Sequence, residues 1–119
     1  MKKVDVAVIG FGTVGSGVAE IIINENKMMT GRTGLVIDLK YILDIRNFSN
    51  HPLADKLVKS IDTIADDPEI TSVVEAIGGI EPGYSYTKRC LAAGKNVITS
   101  NKQLVAEHGT ELLALAKQN

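Results

Sequence analysis

The chain has 119 residues, 45% of them hydrophobic, with 13 basic and 14 acidic side chains for a net charge of −1, enough for one domain that buries about two-thirds of its unfolded surface. A single cysteine excludes an intrachain disulfide, two separated histidines give no zinc-ligand spacing, and the interspersed charges offer no basic stripe for nucleic acid or an anionic membrane. No apolar run reaches the roughly 18 residues of a membrane span, and the opening MKK is followed by an apolar run that Asp5 interrupts and Gly10 breaks, so a first strand in a reducing, cytoplasmic compartment is expected, not a secretory leader.

The first strand, VDVAVI at 4–9, runs into glycines at 10, 12 and 15. Val14, Val18, Ile21 and Ile22 then recur at helical spacing with Glu20, Asn24 and Glu25 opposite, which predicts a helix over 13–26. A loop carrying Gly31 and Gly34 precedes LVIDLKYILDI, a second strand ending near Asp44 or Ile45. RNFSNHPLADKLV reads as a polar connection into a short helix around 53–59, and Asp62 as the N-cap of a helical turn at 63–66. SVVEAI at 72–77 is a short buried strand ended by Gly78 and Gly79. EPGYSYTKRCLAAG is a helix with Pro82 near its first turn and Gly94 past its end. NVITS is another strand, and NKQLVAEH and TELLALAKQ read as two short helices parted at Gly109, with Thr110 capping the second. Strands that are apolar on both faces and alternate with helices imply an α/β domain, a Rossmann-like doubly wound parallel sheet. No repeat or linker divides it.

A strand followed by GFGTVG and a helix meets the context that a dinucleotide fingerprint requires. Gly10 makes the tight turn, Gly12 admits a pyrophosphate against the backbone, and Gly15 lets helix and strand pack closely. The amides and dipole at the helix start attract the anion. The acidic residue expected about 20 residues further on arrives late, at Asp44, after the GRTG loop. Asp44 suits a ribose 2′-hydroxyl and Arg46 a 2′-phosphate. The two suggestions compete, and Arg46 tips the balance to NADP with NAD tolerated.

VIGFGTVGSGV, SVVEAIGGIEP and AAGKNVITSNKQLVAEHG together resemble the amino-terminal nucleotide-binding region of homoserine dehydrogenase, over nearly the whole chain. That family interconverts aspartate β-semialdehyde and homoserine with NADH or NADPH, on the route to threonine and methionine. The resemblance implies that Phe11, Thr13 and Val14 line the pyrophosphate turn, that Gly78 and Gly79 pass close to the cofactor, and that Ser100 sits beside the nicotinamide. It assigns Lys102 to the junction of nicotinamide and substrate, where an ammonium polarises the aldehyde oxygen.

Other residues have plainer explanations. Asn101 serves equally as the N-cap of the last helix, and Glu75 in its aliphatic strand suits a paired structural carboxylate. His108 reads as a helix-end residue, Cys90 as core, and Tyr84 and Tyr86 as packing or surface residues. The family's substrate domain, with its carboxylates and second lysine, has no counterpart here, so the chain reads as an excised or truncated cofactor domain, inactive alone. An incomplete sheet at its C-terminal edge then leaves an unpaired strand and an apolar patch, from which self-association is expected. A related semialdehyde or amino-acid dehydrogenase, and a dinucleotide sensor without catalysis, are the competing readings.

Overall fold

The computed structural model describes residues 2–24, 31, 34–46, 50–99 and 101–119. In chain order these form β1 (Lys2–Ile9), α1 (Thr13–Asn24), β2 (Leu35–Leu43), a 3-10 turn (Ala54–Lys56), β3 (Leu57–Val58), α2 (Ile61–Ala65), β4 (Ile70–Glu75), α3 (Gly83–Ala92), β5 (Asn96–Thr99) and α4 (Lys102–Gln118). The strands make one parallel sheet in the order β3-β2-β1-β4-β5. The chain therefore winds outward from β1 in one direction, then returns past it to build the other half. The carboxyl ends of β1 and β4 flank the point where the winding reverses, which is where open α/β sheets hold ligands.

Both faces of the sheet are covered. Val6 and Val8 of β1 join Ala19 and Ile22 of α1 in one buried cluster, while Ala7 and Ile9 join Ile64 of α2 and Cys90 of α3 in another. The period of two along β1 sends alternate side chains to opposite layers. In β2 the parity changes, because the register shifts where Val6 pairs with Leu39 and Ala7 with Tyr41. That extra residue lets Leu39 and Ile42 share the α1 face while Leu43 turns to the other. A third cluster, Leu91, Leu104 and Leu112, joins α3 to α4.

The sheet class and the positions of the principal strands follow the sequence reading, and four local expectations are corrected. Residues 53–59 hold a 3-10 turn and the two-residue β3 where a helix was expected. The next helix begins at Ile61, and Ser60, not Asp62, is its cap: the Ser60 hydroxyl accepts from the Asp62 amide at 3.2 Å. β4 spans 70–75 and ends at Glu75, ahead of the glycines. The last helix is continuous from 102 to 118, so Thr110 caps nothing and His108 lies within the helix. Gly94 sits at φ +83°, as a helix-ending glycine should.

Candidate functional site

The glycine turn is built from backbone contacts. Gly10, at φ +96°, donates its amide to the Leu43 carbonyl at 2.8 Å, and a Cβ there would meet Ile77 Cγ1 at 2.8 Å. A Cβ on Gly15 would lie 1.8 Å from the Gly10 carbonyl oxygen, so α1 seats on β1 only with glycine there. Gly12 differs. It has no positive φ, and the nearest atom to a Cβ placed on it is Arg46 Nη2 at 3.9 Å. The first bond of α1 runs from the Ser16 amide to the Gly12 carbonyl at 2.9 Å, which leaves the amides of Thr13, Val14 and Gly15 without intrahelical acceptors. Thr13 and Val14 are exposed, whereas Phe11 is buried and its ring meets His51 edge-on at 4.9 Å between centroids.

Asp44 and Arg46 meet each other at the end of β2. The Asp44 carboxylate accepts from the Phe11 amide at 2.9 Å, the Arg46 amide at 2.8 Å, and the Arg46 guanidinium at 3.1 and 2.8 Å. Arg46 and the two amides hold this buried carboxyl well below the usual carboxylate range against its desolvation. Arg46 itself is 59% exposed along its side chain. Lys59, which the sequence reading did not single out, donates to the carbonyls of Ile45 and Arg46 at 3.2 and 2.8 Å and so fixes this loop.

The other half of the site lies past β4. Glu75, buried to 1% exposure, accepts from the Ile77 amide at 2.7 Å and the Thr99 hydroxyl at 2.6 Å. Its pairing is thus with an amide and a hydroxyl, and among the described residues it makes no ion pair. Asn101 caps α4 by accepting from the Leu104 amide at 3.0 Å, and its side-chain amide also donates to the carbonyls of Ile77 and Gly79. Gly79 takes φ +80° to present that carbonyl. Lys102, exposed, is the first residue of α4. Ser100 lies outside the described residues.

Gly10, Gly12, Asp44, Arg46, Ala76 and Gly78 thus converge on one cleft of about 390 Å³ at the carboxyl ends of β1, β2 and β4. Ile77, Pro82 and Tyr86 give it an apolar wall that sequence patterning did not reveal, because their convergence depends on the turn after β4. A smaller cavity of about 180 Å³ continues from it between Val14 and Asn101. A larger apolar groove, about 480 Å³, lies away from these groups between β5, α3 and α4. Cys90 stays out of the chemistry, since burial pushes its thiol up to about 11. His108 stacks on Tyr84 at 3.8 Å between ring centroids, and the Tyr84 hydroxyl donates to Glu111 at 2.5 Å, so both residues serve the α3–α4 contact. Among the described residues no group of side chains is arranged to hold a metal ion, and no helix is long and apolar enough to cross a membrane.

The chain is similar in sequence and fold to known proteins. The family model for the NAD binding domain of homoserine dehydrogenase matches residues 10–119. Homoserine dehydrogenase of Bacillus subtilis (strain 168) is 37% identical over 122 residues, covering all of this chain and 28% of that protein. The crystal structure of S. aureus homoserine dehydrogenase at pH 8.5 superposes with a TM-score of 0.89 at 36% identity, over 99% of this chain and 30% of that one. A hyperthermophilic archaeal homoserine dehydrogenase in complex with NADPH matches with a TM-score of 0.77 at 26% identity, over 98% of this chain and 41% of that one. This chain spans less than a third of the length of the first two. It belongs to the homoserine dehydrogenase family and corresponds to that family's NAD-binding domain.

Proposed function

We propose that this chain is a single dinucleotide-binding domain that holds NADP or NAD across the ends of β1, β2 and β4, in the service of an enzyme interconverting homoserine and aspartate β-semialdehyde. Gly12 carries the reading. Within the fold a Cβ there would meet only Arg46 Nη2, at 3.9 Å, so a side chain at Gly12 would stand in the cleft at the start of α1, where a pyrophosphate needs the room. A pyrophosphate in that space would face the unbonded amides at the start of α1. Thr13 and Val14 supply two of those amides, whereas the Phe11 amide is committed to Asp44.

A preference for NADP rests on Arg46. The Asp44 oxygens already accept four donors, which leaves little capacity for a ribose 2′-hydroxyl, while the exposed Arg46 guanidinium stands at the cleft beside Gly12. The archaeal relative's complex with NADPH supports the same direction. Gly78, whose Cβ position is also open, and Gly79 border the path to the nicotinamide end, with Ser100 and Lys102 beyond.

When bound, the nicotinamide supplies or accepts the hydride. Lys102 meets the substrate oxygen as negative charge develops on it. A lysine at a helix start opposes the helix dipole, which favours a site role over a solvated one. The rest of the substrate is held by polypeptide outside this domain, a placement supported by the greater length of the relatives. The enzyme works in the cytoplasm.

The outer edge of β5 and its neighbouring apolar side chains, Ile98, Val105 and Leu113 at 60%, 53% and 59% exposure, pair two copies of this chain. An unpaired strand edge is self-complementary about a two-fold axis. Sedimentation at high concentration that finds only monomer removes this pairing.

The cofactor reading is tested by calorimetric titration of the chain with NADPH and with NADH. Binding of either is expected, and Gly12→Val weakens it on the order of 100-fold or more, the scale of a lost charged contact, with only a small fall in the thermal melt, since Val is a poorer helix cap than Gly. A folded chain that binds neither overturns the reading.

A further inference from the structure

Building on the cofactor reading, we propose that Glu75 is a positioning residue for the nicotinamide end of the site, acting through Thr99 and Asn101. A carboxylate with 1% exposure and no ion pair among the described residues is a costly thing to keep in a core. An apolar side chain of similar size would avoid that cost but leave the Ile77 amide and the Thr99 hydroxyl without this acceptor. What the carboxylate offers instead is direction. It is an acceptor only, so it fixes the direction of the Thr99 hydroxyl, the member of a closed circuit that could either donate or accept, while the backbone amides and carbonyls keep their fixed roles.

The circuit runs as follows. The single Thr99 hydroxyl proton goes to Glu75 Oε1 at 2.6 Å, which leaves the Thr99 oxygen to accept from the Asn101 amide at 3.0 Å. Asn101 Nδ2 donates to the Ile77 carbonyl at 3.1 Å and to that of Gly79, and the Ile77 amide returns to Glu75 Oε2 at 2.7 Å. Four pieces of chain are thereby locked together: the ends of β4 and β5, the turn at 76–79, and the start of α4. Gly83, the first residue of α3, makes room for the carboxylate, because a Cβ there would lie 3.1 Å from Oε2. The circuit borders the 180 Å³ cavity that continues from the glycine turn, and Lys102 follows its last member.

The test separates the two halves of the cofactor. Calorimetry on this chain compares NADPH with 2′-phospho-ADP-ribose, which keeps the adenosine and both phosphates of the bridge but lacks nicotinamide. The ratio of their affinities reads the nicotinamide end alone. Thr99→Val, which keeps shape and removes the hydroxyl, is expected to lower that ratio about three- to tenfold, the scale of one hydrogen bond, with 2′-phospho-ADP-ribose binding unchanged. Thr99→Ser restores the ratio. Glu75→Gln lowers it similarly, because one carboxamide oxygen cannot accept both bonds, and it provides the second test if Thr99→Val fails to fold.

Equal weakening of both ligands, an unchanged ratio, or failure of Thr99→Ser to restore it overturns the proposal and leaves the cofactor reading standing. A folded wild-type chain that binds neither ligand removes the cofactor reading, and this proposal with it.

Discussion

The two ends of the cleft are built on opposite electrostatic plans. At the end of β2, a carboxylate and a guanidinium pair directly, and the cation stands more than half in solvent. At the ends of β4 and β5, a carboxylate with less exposure is satisfied by neutral donors alone. On the proposed cofactor reading, the difference matches what each end would recognise. A charged 2′-substituent is best met by a cation that can change partners at the rim, where solvent lowers the cost of rearrangement. A flat nicotinamide ring is cationic when oxidised and neutral when reduced, and orienting it in both states requires walls that do not move.

The comparison breaks first, and most visibly, at Arg46. Arg46→Ala is expected to weaken NADPH about 10- to 100-fold, as a lost charge-assisted bond to phosphate should, while changing NADH little; equal losses for both in paired titrations would show that Arg46 holds the loop and not the phosphate. Next comes acid. The Asp44 carboxyl is held below its ordinary 3.8, so the stabilisation it gives the fold is complete above that pH and drains away as pH falls through the lower folded value. Asp44→Asn should therefore lower stability at neutral pH by about 1–2 kcal/mol and flatten the acid limb of a melting-temperature profile. A parallel profile would mean that the ion pair contributes nothing there. The smallest effect is expected at Gly83→Ala, which pushes on Glu75 by a few tenths of an ångström. It should lower the NADPH to 2′-phospho-ADP-ribose ratio about twofold, a fraction of one hydrogen bond, and leave Arg46-dependent discrimination as it was.

The first half of this site was far more legible in the sequence than the second. GFGTVG names its own geometry, because strand, glycine spacing and helix are contiguous. Asp44 and Arg46 were also visible, yet as rivals; their mutual pairing depends on the turn at the end of β2, which brings Asp44 to the Phe11 amide and Arg46 back onto Asp44. Thr99 gave no signal, since its distinction lies in bonds to Glu75 on another strand and to the Asn101 amide at the start of α4. Elsewhere the errors have local causes. β3 is two residues long, too short for any period to register, and the leucines at 53 and 57 mimic helical spacing. Gly109 did not break α4 because a helical glycine costs only about 1 kcal/mol, and Leu104, Leu112 and the Tyr84–His108 stack hold the helix on both sides of it.

That unbroken helix makes α4 a strut. At about 1.5 Å per residue it is roughly 25 Å long, tied at its start by Asn101 to the carbonyls of Ile77 and Gly79 and by the buried Leu104, and further along by Tyr84 and Lys88 of α3 at His108 and Glu111. Lys102 stands on the pinned end, and Leu113 is exposed about 16 Å further along the same rod. The place of Lys102 is therefore set by the turn after β4, whatever touches the Leu113 face.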